Sequence, residues 1–300
     1  MSAQTHTIGS MLEYGEQLFQ HNKIYFGHGT DNAWDEAVYL LSAVLNLPPE
    51  ADRSLLSQQL SEAEQVQIDA LFQRRVKERV PAPYITQQAW FCSLPFYVDQ
   101  RVIVPRSPIA ELIYNQFQPW CPTTPNKILD LCTGSGCIGI ACAYAFEQAQ
   151  VWLSDISSDA LEVAEINIEK HDLTTRVTAI ESDLFSAFDA QAKNSFDLIV
   201  CNPPYVDAQD MAQMPAEYGH EPELALASGD DGLDFTRRLL REAPNYLSSQ
   251  GVLIVEVGNS AEALERAFPD VPFTWLEFTQ GDDGVFMLTS TQLHQYAHCF

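Results

Sequence analysis

Between Ile8 and about Val80 the apolar residues recur at the helical period. Met11, Leu12, Leu18 and Phe19 form one stripe, Ala37, Leu40, Leu41, Val44 and Leu45 a second, and Val66, Ile68, Leu71, Phe72 and Val76 a third. Side chains three or four residues apart share one face of a helix, so these stripes predict three short amphipathic helices packed as a small bundle. Asp31 or Asn32 can cap the second helix and Pro48-Pro49 ends it, while Ser61 and Glu64 have the spacing of a capping box for the third. From Pro81 to Pro105 the pattern changes. Tyr84, Trp90, Phe91, Phe96, Tyr97, Val102, Ile103 and Val104 flank a break at Ser93 to Pro95, which predicts a β-hairpin joining two parts of the chain.

From Lys127 onward short apolar runs alternate with helical stretches. Strands are expected at 127–131, 151–154, 177–180, 196–201 and 252–257, and helices at 137–146, 159–170 and 233–247. This alternation predicts an α/β domain: a mostly parallel sheet with helices on both faces. Two last strands, 273–278 and 284–288, flank the loop Thr279-Gln280-Gly281-Asp282-Asp283 and predict an antiparallel pair closing the sheet. The expected organisation is therefore a helical domain over 1–85, a hairpin linker over 86–106 and a Rossmann-like domain over 107–300.

Composition narrows the setting. Three hundred residues, 46% of them hydrophobic, can bury a full core. The seven cysteines are odd in number and lack metal-pair spacing, so buried, reduced thiols are expected. No uninterrupted apolar run approaches a membrane span, and no leader pattern opens the chain, so a cytoplasmic protein without a membrane partner is expected. The net charge is −25, from 16 Lys and Arg against 41 Asp and Glu. Such a field repels phosphate backbones and attracts basic partners.

The segment from Ile128 to Cys137 runs from a strand through a tight turn into a helix. Gly134 and Gly136 allow backbone conformations that a β-carbon forbids and let a ligand approach closely. Asp155, at the end of the next strand, is placed to accept the two ribose hydroxyls of an adenosine. The turn is neither a dinucleotide fingerprint nor a phosphate-binding loop. Asp130 beside it suits a ligand ammonium group, so the acidic pocket fits S-adenosylmethionine better than a pyrophosphate.

The strand Asp197 to Cys201 leads directly into Asn202-Pro203-Pro204-Tyr205. Two prolines fix φ and remove two N–H donors, leaving a stiff loop that offers mainly oxygen acceptors. An amide or exocyclic amine nitrogen is a poor nucleophile because its lone pair is delocalised. Accepting both its hydrogens, on the Asn202 side-chain oxygen and the Pro203 carbonyl, would aim that lone pair at an activated methyl carbon, with Tyr205 packed flat on the planar group. This is catalysis by positioning and electrostatics.

These motifs resemble those of the protein-glutamine methyltransferases, class I enzymes that use S-adenosylmethionine and form S-adenosylhomocysteine. The resemblance rests on the stretches 79–85, 104–106, 130–136 and 182–185, on the tetrapeptide, and on Glu221 to Leu226 leading into Gly229-Asp230-Asp231-Gly232-Leu233. Tyr25 to Asn32 and Pro105-Arg106-Ser107-Pro108-Ile109 resemble the branch acting on protein three of the large ribosomal subunit; the release-factor branch has a different run at the second place. The resemblance implies that Cys132, Thr133, Gly134, Ser135, Gly136, Asp155, Ile156, Asp183, Leu184 and Asn202 hold the methyl donor, and that Asn202 to Tyr205 receive the glutamine. Cys132 stands where the wider class has its first glycine, and small-residue packing explains it better than thiol chemistry. A basic ribosomal protein is the implied substrate, and neither a metal nor a nucleic acid is required.

A nucleic-acid adenine methyltransferase is the runner-up, since an exocyclic amine presents similar geometry. Against it, residues 202 to 235, expected to rim the pocket, carry eight carboxylates and no Lys or Arg. A third alternative is a non-catalytic assembly factor. His28 and His220 read as loop-ordering residues, and Arg74, Arg75, Lys77 and Arg79 as a solvated helix face.

Overall fold

The computed structural model describes residues 6–48, 52–121, 123–279 and 284–300. The chain divides into two compact units, one made of residues up to 89 together with 215–220, the other of 90–214 and 221 onward.

The first unit holds α1 (Ile8–His21), α2 (Ala33–Leu45), α3 (Glu62–Glu78) and the short α4 (Ala82–Thr86). Asn32 caps α2 by accepting from the Asp35 N–H, and Ser61 and Glu64 close the capping box of α3. The second helix stops at Leu45 because Asn46 turns left-handed, ahead of the prolines expected to end it; Pro49 lies outside the described residues. The core forms around Phe19, Ala37, Leu40, Ile68 and Phe72. Val66, expected on this face, is 70% exposed, because it lies half a turn away from Ile68. Helix α4 was not expected; Pro81 at its start and the left-handed Gln87 at its end bound it.

The basic run on α3 is a larger departure. Arg74 is exposed beside Glu78, but Arg75 is 1% exposed. Its Nε lies 2.5 Å from a Glu36 oxygen, Nη1 lies 3.4 Å from Glu217, and Nη2 donates to the Tyr25 carbonyl at 2.7 Å. Arg79 donates to Glu217 and to the Asn22 and Lys23 carbonyls. A guanidinium is buried only where carboxylates and carbonyls meet its donors. Those partners lie on other segments, so the sequence of α3 alone does not reveal them.

A two-stranded hairpin, β1 (Ala89–Phe91) and β2 (Leu94–Phe96), follows. Cys92 and Ser93, both at positive φ, make its turn. The segment from Tyr97 to Arg106 is irregular, and α5 (Ile109–Tyr114) leads toward the main sheet.

The seven-stranded sheet has the order β5-β4-β3-β6-β7-β9-β8. Its strands are β3 (Lys127–Leu131), β4 (Gln150–Asp155), β5 (Val177–Glu181), β6 (Phe196–Cys201), β7 (Leu247–Glu256), β8 (Thr274–Trp275) and β9 (Val285–Thr289). The first five are parallel, while β9 runs antiparallel to β7 and β8 antiparallel to β9. Residues 280–283 of the intervening loop lie outside the described residues. Alternate residues of β3 and β6 enter two separate cores, Ile128 and Leu198 on one face, Leu129 and Ile199 on the other.

Helices α6 (Cys137–Ala145), α7 (Ser158–Lys170), α8 (Ala208–Met211), α9 (Asp234–Glu242), α10 (Ala261–Ala267) and α11 (Ser290–Gln295) complete the unit. Helix α9 ends five residues earlier than its pattern suggested, because Pro244 turns the chain into a 3₁₀ step and β7 begins at once. Strand order reverses between β3 and β6, and in such sheets ligands bind at the carboxyl ends beside that point. The glycine turn leaves the end of β3 and the tetrapeptide leaves the end of β6.

Candidate active site

The turn after β3 is built mainly from its own backbone. Cys132, Gly134 and Gly136 sit at φ +56°, +53° and +81°. The Thr133 N–H bonds the Ser154 carbonyl at 3.1 Å, and the Gly134 N–H bonds Asp155 Oδ2 at 2.9 Å, tying the turn to the end of β4. A β-carbon on Gly134 would meet only Val102, at 4.0 Å, so that face opens toward a ligand. On Gly136 it would meet Leu153 at 3.0 Å, which makes that glycine a packing requirement of the helix against the sheet.

One cleft gathers Cys132, Gly134, Asp155, Ile156, Asp183, Leu184, Asn202 and Pro204 on its wall. Thr133, Ser135, Gly136, Pro203, Tyr205 and Asp130 do not line it. Asp130, expected to face a ligand ammonium, is 1% exposed. Its Oδ2 accepts from the Thr133 hydroxyl at 2.6 Å and from the Gly139 N–H at 2.9 Å, so it braces the turn onto α6 from beneath. Its Oδ1 has no partner among the described residues, and burial pushes the carboxyl up to about 7. Asp155 is also pushed above the usual carboxylate range by burial, against the pull of the Ser157, Gly134 and Ile156 N–H groups. The free Cys132 thiol is hydrogen-bonded to the Cys201 thiol, which lowers its pKa, but burial and three nearby aspartates carry it above the ordinary value. It is a neutral packing group.

The structure adds wall residues that were not expected in the site: Arg101, Val102 and Ile103 on one side, Pro222, Leu224 and Ala225 of the 221–226 motif on another, with Phe235 and Arg238. Arg101 is held by Asp99 at 2.7 Å and Glu162 at 2.7 Å, and Arg238 by Asp183 at 2.9 Å. Two carboxylates, Asp155 and Asp183, therefore line the cleft with two guanidiniums, while Asp99 and Glu162, which pair with Arg101, do not line it. Both guanidiniums are paired with carboxylates, which suits a cationic sulfonium. The acidic run 202–235, expected to rim the pocket, does not supply its charge, since none of its eight carboxylates lines the cleft. Glu217 belongs to the first unit, where Arg75 and Arg79 pair with it, and Glu221 is clasped by Arg106 through two 2.6 Å contacts.

The acceptor loop is fixed from outside. The Val206 N–H bonds the Leu226 carbonyl and the Ser228 N–H bonds the Val206 carbonyl. The Ser260 hydroxyl donates to the Tyr205 carbonyl at 2.7 Å, and the Tyr205 hydroxyl donates to Glu256 at 3.0 Å. The Asn202 amide is half-buried on the cleft wall and forms no hydrogen bond among the described residues. Leu131 and Cys201 are register partners on adjacent parallel strands, so Cys132 and Asn202 begin their loops side by side.

Residues 110–217 match the methyltransferase small domain, and residues 12–86 match the PrmC N-terminal domain. The ribosomal protein uL3 glutamine methyltransferase of Francisella tularensis is 51% identical over 298 residues, covering 98% of this chain and 94% of the relative. Its namesake in Neisseria gonorrhoeae is 49% identical, covering 96% and 95%. This chain belongs to the uL3 glutamine methyltransferase family. Among solved structures, the hMettl16 catalytic domain bound to a MAT2A 3′UTR hairpin shares the fold, with a TM-score of 0.52 at 15% identity over 85% of this chain and 91% of that one. Family and fold together imply use of S-adenosylmethionine, and the protein is an enzyme. Among the described residues no group of three or more His, Cys, Asp and Glu could hold a metal, and no helix is long and apolar enough to cross a membrane.

Proposed function

We propose that this uL3 glutamine methyltransferase family member methylates the side-chain nitrogen of a glutamine in ribosomal protein uL3, with S-adenosylmethionine as the donor. One observation carries the reading. A ligand-sized glycine turn and a donor-poor Asn-Pro-Pro-Tyr loop leave adjacent parallel strands, and the Asn202 amide faces the cleft without a partner among the described residues. Cys132 and Gly134 would hold the methionine portion, Asp155 the ribose hydroxyls, and Ile156, Asp183 and Leu184 the adenine. The Asp155 oxygens accept the Gly134 and Ser157 N–H groups, one on each, and the carboxylate has further lone pairs for the hydroxyls.

When bound, the donor supplies a methyl carbon activated by its sulfonium; the glutamine nitrogen takes that carbon as the carbon–sulfur bond breaks, leaving S-adenosylhomocysteine. The chain's own contribution is to make the amide nitrogen available. Asn202 Oδ1 and the Pro203 carbonyl accept the two amide hydrogens, which holds the nitrogen's lone pair toward the methyl. The proton shed afterwards passes to water. The helical unit serves in recognising the substrate protein, the strongly acidic chain draws a basic partner, and the reaction takes place in the cytoplasm.

The test is to incubate the purified protein with labelled S-adenosylmethionine and uL3, and to locate the label by peptide mass spectrometry. A single glutamine heavier by one methyl group is expected. Label on another residue type, or only on nucleic acid, overturns the reading.

A further inference from the structure

Behind the tetrapeptide lies a second set of side chains that does not line the cleft. Glu256 ends β7 and is 6% exposed. One of its oxygens accepts the Tyr205 hydroxyl at 3.0 Å, and the other accepts the Ser107 hydroxyl at 2.6 Å. Ser107 is itself fixed, because its oxygen accepts the Ile109 N–H at 3.2 Å at the start of α5. The Tyr205 ring lies on Gly258, where a β-carbon would come within 2.6 Å of it, and the Tyr205 carbonyl is held by Ser260. Ring face, hydroxyl and carbonyl are thus fixed by three separate partners from around the end of β7.

We propose that Glu256, held by Ser107, is a positioning residue that sets the plane of Tyr205 and, through it, the acceptor loop on which the glutamine amide is received. The inference rests on the glutamine reading above and deepens it. A neutral phenol needs no buried carboxyl group to stay folded, and burying an ionisable group is costly unless its oxygens are hydrogen-bonded, as both are here. Hydroxyl bonds on both oxygens fix the carboxyl plane, and a fixed carboxyl plane holds the ring in one orientation. Glu256 does not line the cleft, so its effect falls on the rate with bound substrate and leaves donor affinity alone.

The experiment compares wild type, Glu256→Gln, Tyr205→Phe, their double variant and Ser107→Ala, with kcat and KM for each substrate and S-adenosylhomocysteine affinity by calorimetry. Each of the Glu256 and Tyr205 variants should lower kcat about tenfold, the cost of a small misplacement of the reacting group. The double variant should fall no further, since both changes break one link. Affinity for S-adenosylhomocysteine should stay within about twofold in all of them. Ser107→Ala, at a half-exposed position, should show a smaller loss in the same direction, and it decides the matter if Glu256→Gln fails to fold. An active wild type with full-rate Glu256→Gln, additive losses in the double variant, or a parallel loss of product affinity overturns the positioning role. A wild type that methylates no glutamine overturns the glutamine reading, and this inference with it.

Discussion

The two halves of the cleft are held together in different ways. On the donor side, the stabilising bonds of the turn stay within one contiguous stretch from β3 to the end of β4: Asp130 reaches Thr133 and Gly139, and Asp155 reaches Ser157 and, 21 residues back, Gly134. On the acceptor side they are long. Tyr205 is fixed by Glu256 and Ser260, and the neighbouring wall by the Arg106–Glu221 pair, whose members are more than a hundred residues apart in the chain. A donor site made of backbone turns can be built by one strand-turn-helix-strand unit. An acceptor loop poor in N–H donors cannot brace itself, and must borrow its rigidity from distant side chains.

The sharpest way to separate the halves is Asn202→Ala. It removes the oxygen proposed to accept an amide hydrogen in the transition state and leaves the donor turn intact. A loss of about 10² to 10³ in kcat is expected, comparable to removal of one oriented hydrogen-bonding group at a reacting centre, with the fold unchanged by circular dichroism. Retention of more than half the activity would break the comparison, because the loop would then be scenery.

The donor side makes its own prediction through pH. Burial holds the Asp130 carboxyl up to about 7, so the native state keeps a proton that the unfolded chain loses near its ordinary value of 3.8. Between those two values the native state binds more protons, and stability falls as pH rises, levelling off above the native value. Asp130→Asn has no such proton to lose. Its stability relative to wild type should grow from about pH 4 to about pH 7 and then stay level, by at most about 4 kcal/mol for a shift of this size. Denaturant melts at several pH values read this directly, and a constant difference would show that Asp130 is not held protonated.

The same contrast explains what could be read from the sequence. Strands β3 and β6, the Gly134 turn, Asp155 and the tetrapeptide follow from local periodicity and turn chemistry, and their positions in the chain and in the structure agree. What the sequence hid is long-range. Arg75 looks like a surface base until Glu36 and Glu217 arrive from other segments, and Glu221 and Glu217 look like an acidic rim until Arg106, Arg75 and Arg79 claim them. Asp130 was legible as important and was given the wrong neighbour, because spacing shows that a carboxylate lies beside a turn but not on which side of the chain it points. Val66 failed for a simpler reason, as its helix has one buried face and it sits on the other.

The long brace gives the third prediction. The Glu221 side chain is fully buried and takes two guanidinium donors and the Val104 N–H, whereas Arg106 keeps 28% of its surface. Arg106→Met removes both guanidinium donors from that buried carboxylate, and should cost about 3 kcal/mol of stability. Arg106→Lys, which cannot form the two-pronged contact, should recover only part of this. Urea melts of the three proteins test it, and an Arg106→Met protein as stable as wild type would show that the pair is ornamental and the acceptor side needs no such brace.

The smallest effect is expected from a single methyl group on the donor turn, and it is the most selective. At Gly134, φ is +53°, and an added β-carbon faces Val102 at 4.0 Å across the cleft. Alanine can adopt this backbone at a cost of about 1 to 2 kcal/mol, and nothing in the fold collides with it. The new methyl stands where the ligand would approach. Gly134→Ala should therefore fold with only modest loss of stability and raise KM for S-adenosylmethionine about tenfold, with kcat at saturation much less affected. At Gly136 the same change meets Leu153 at 3.0 Å and Ile140 at 3.3 Å on a backbone at φ +81°, so its penalty should fall on stability, with donor KM following only as the fold weakens. If the two alanine variants behaved alike, the turn would be a packing device throughout, and the division between a self-built donor side and a braced acceptor side would lose its first half.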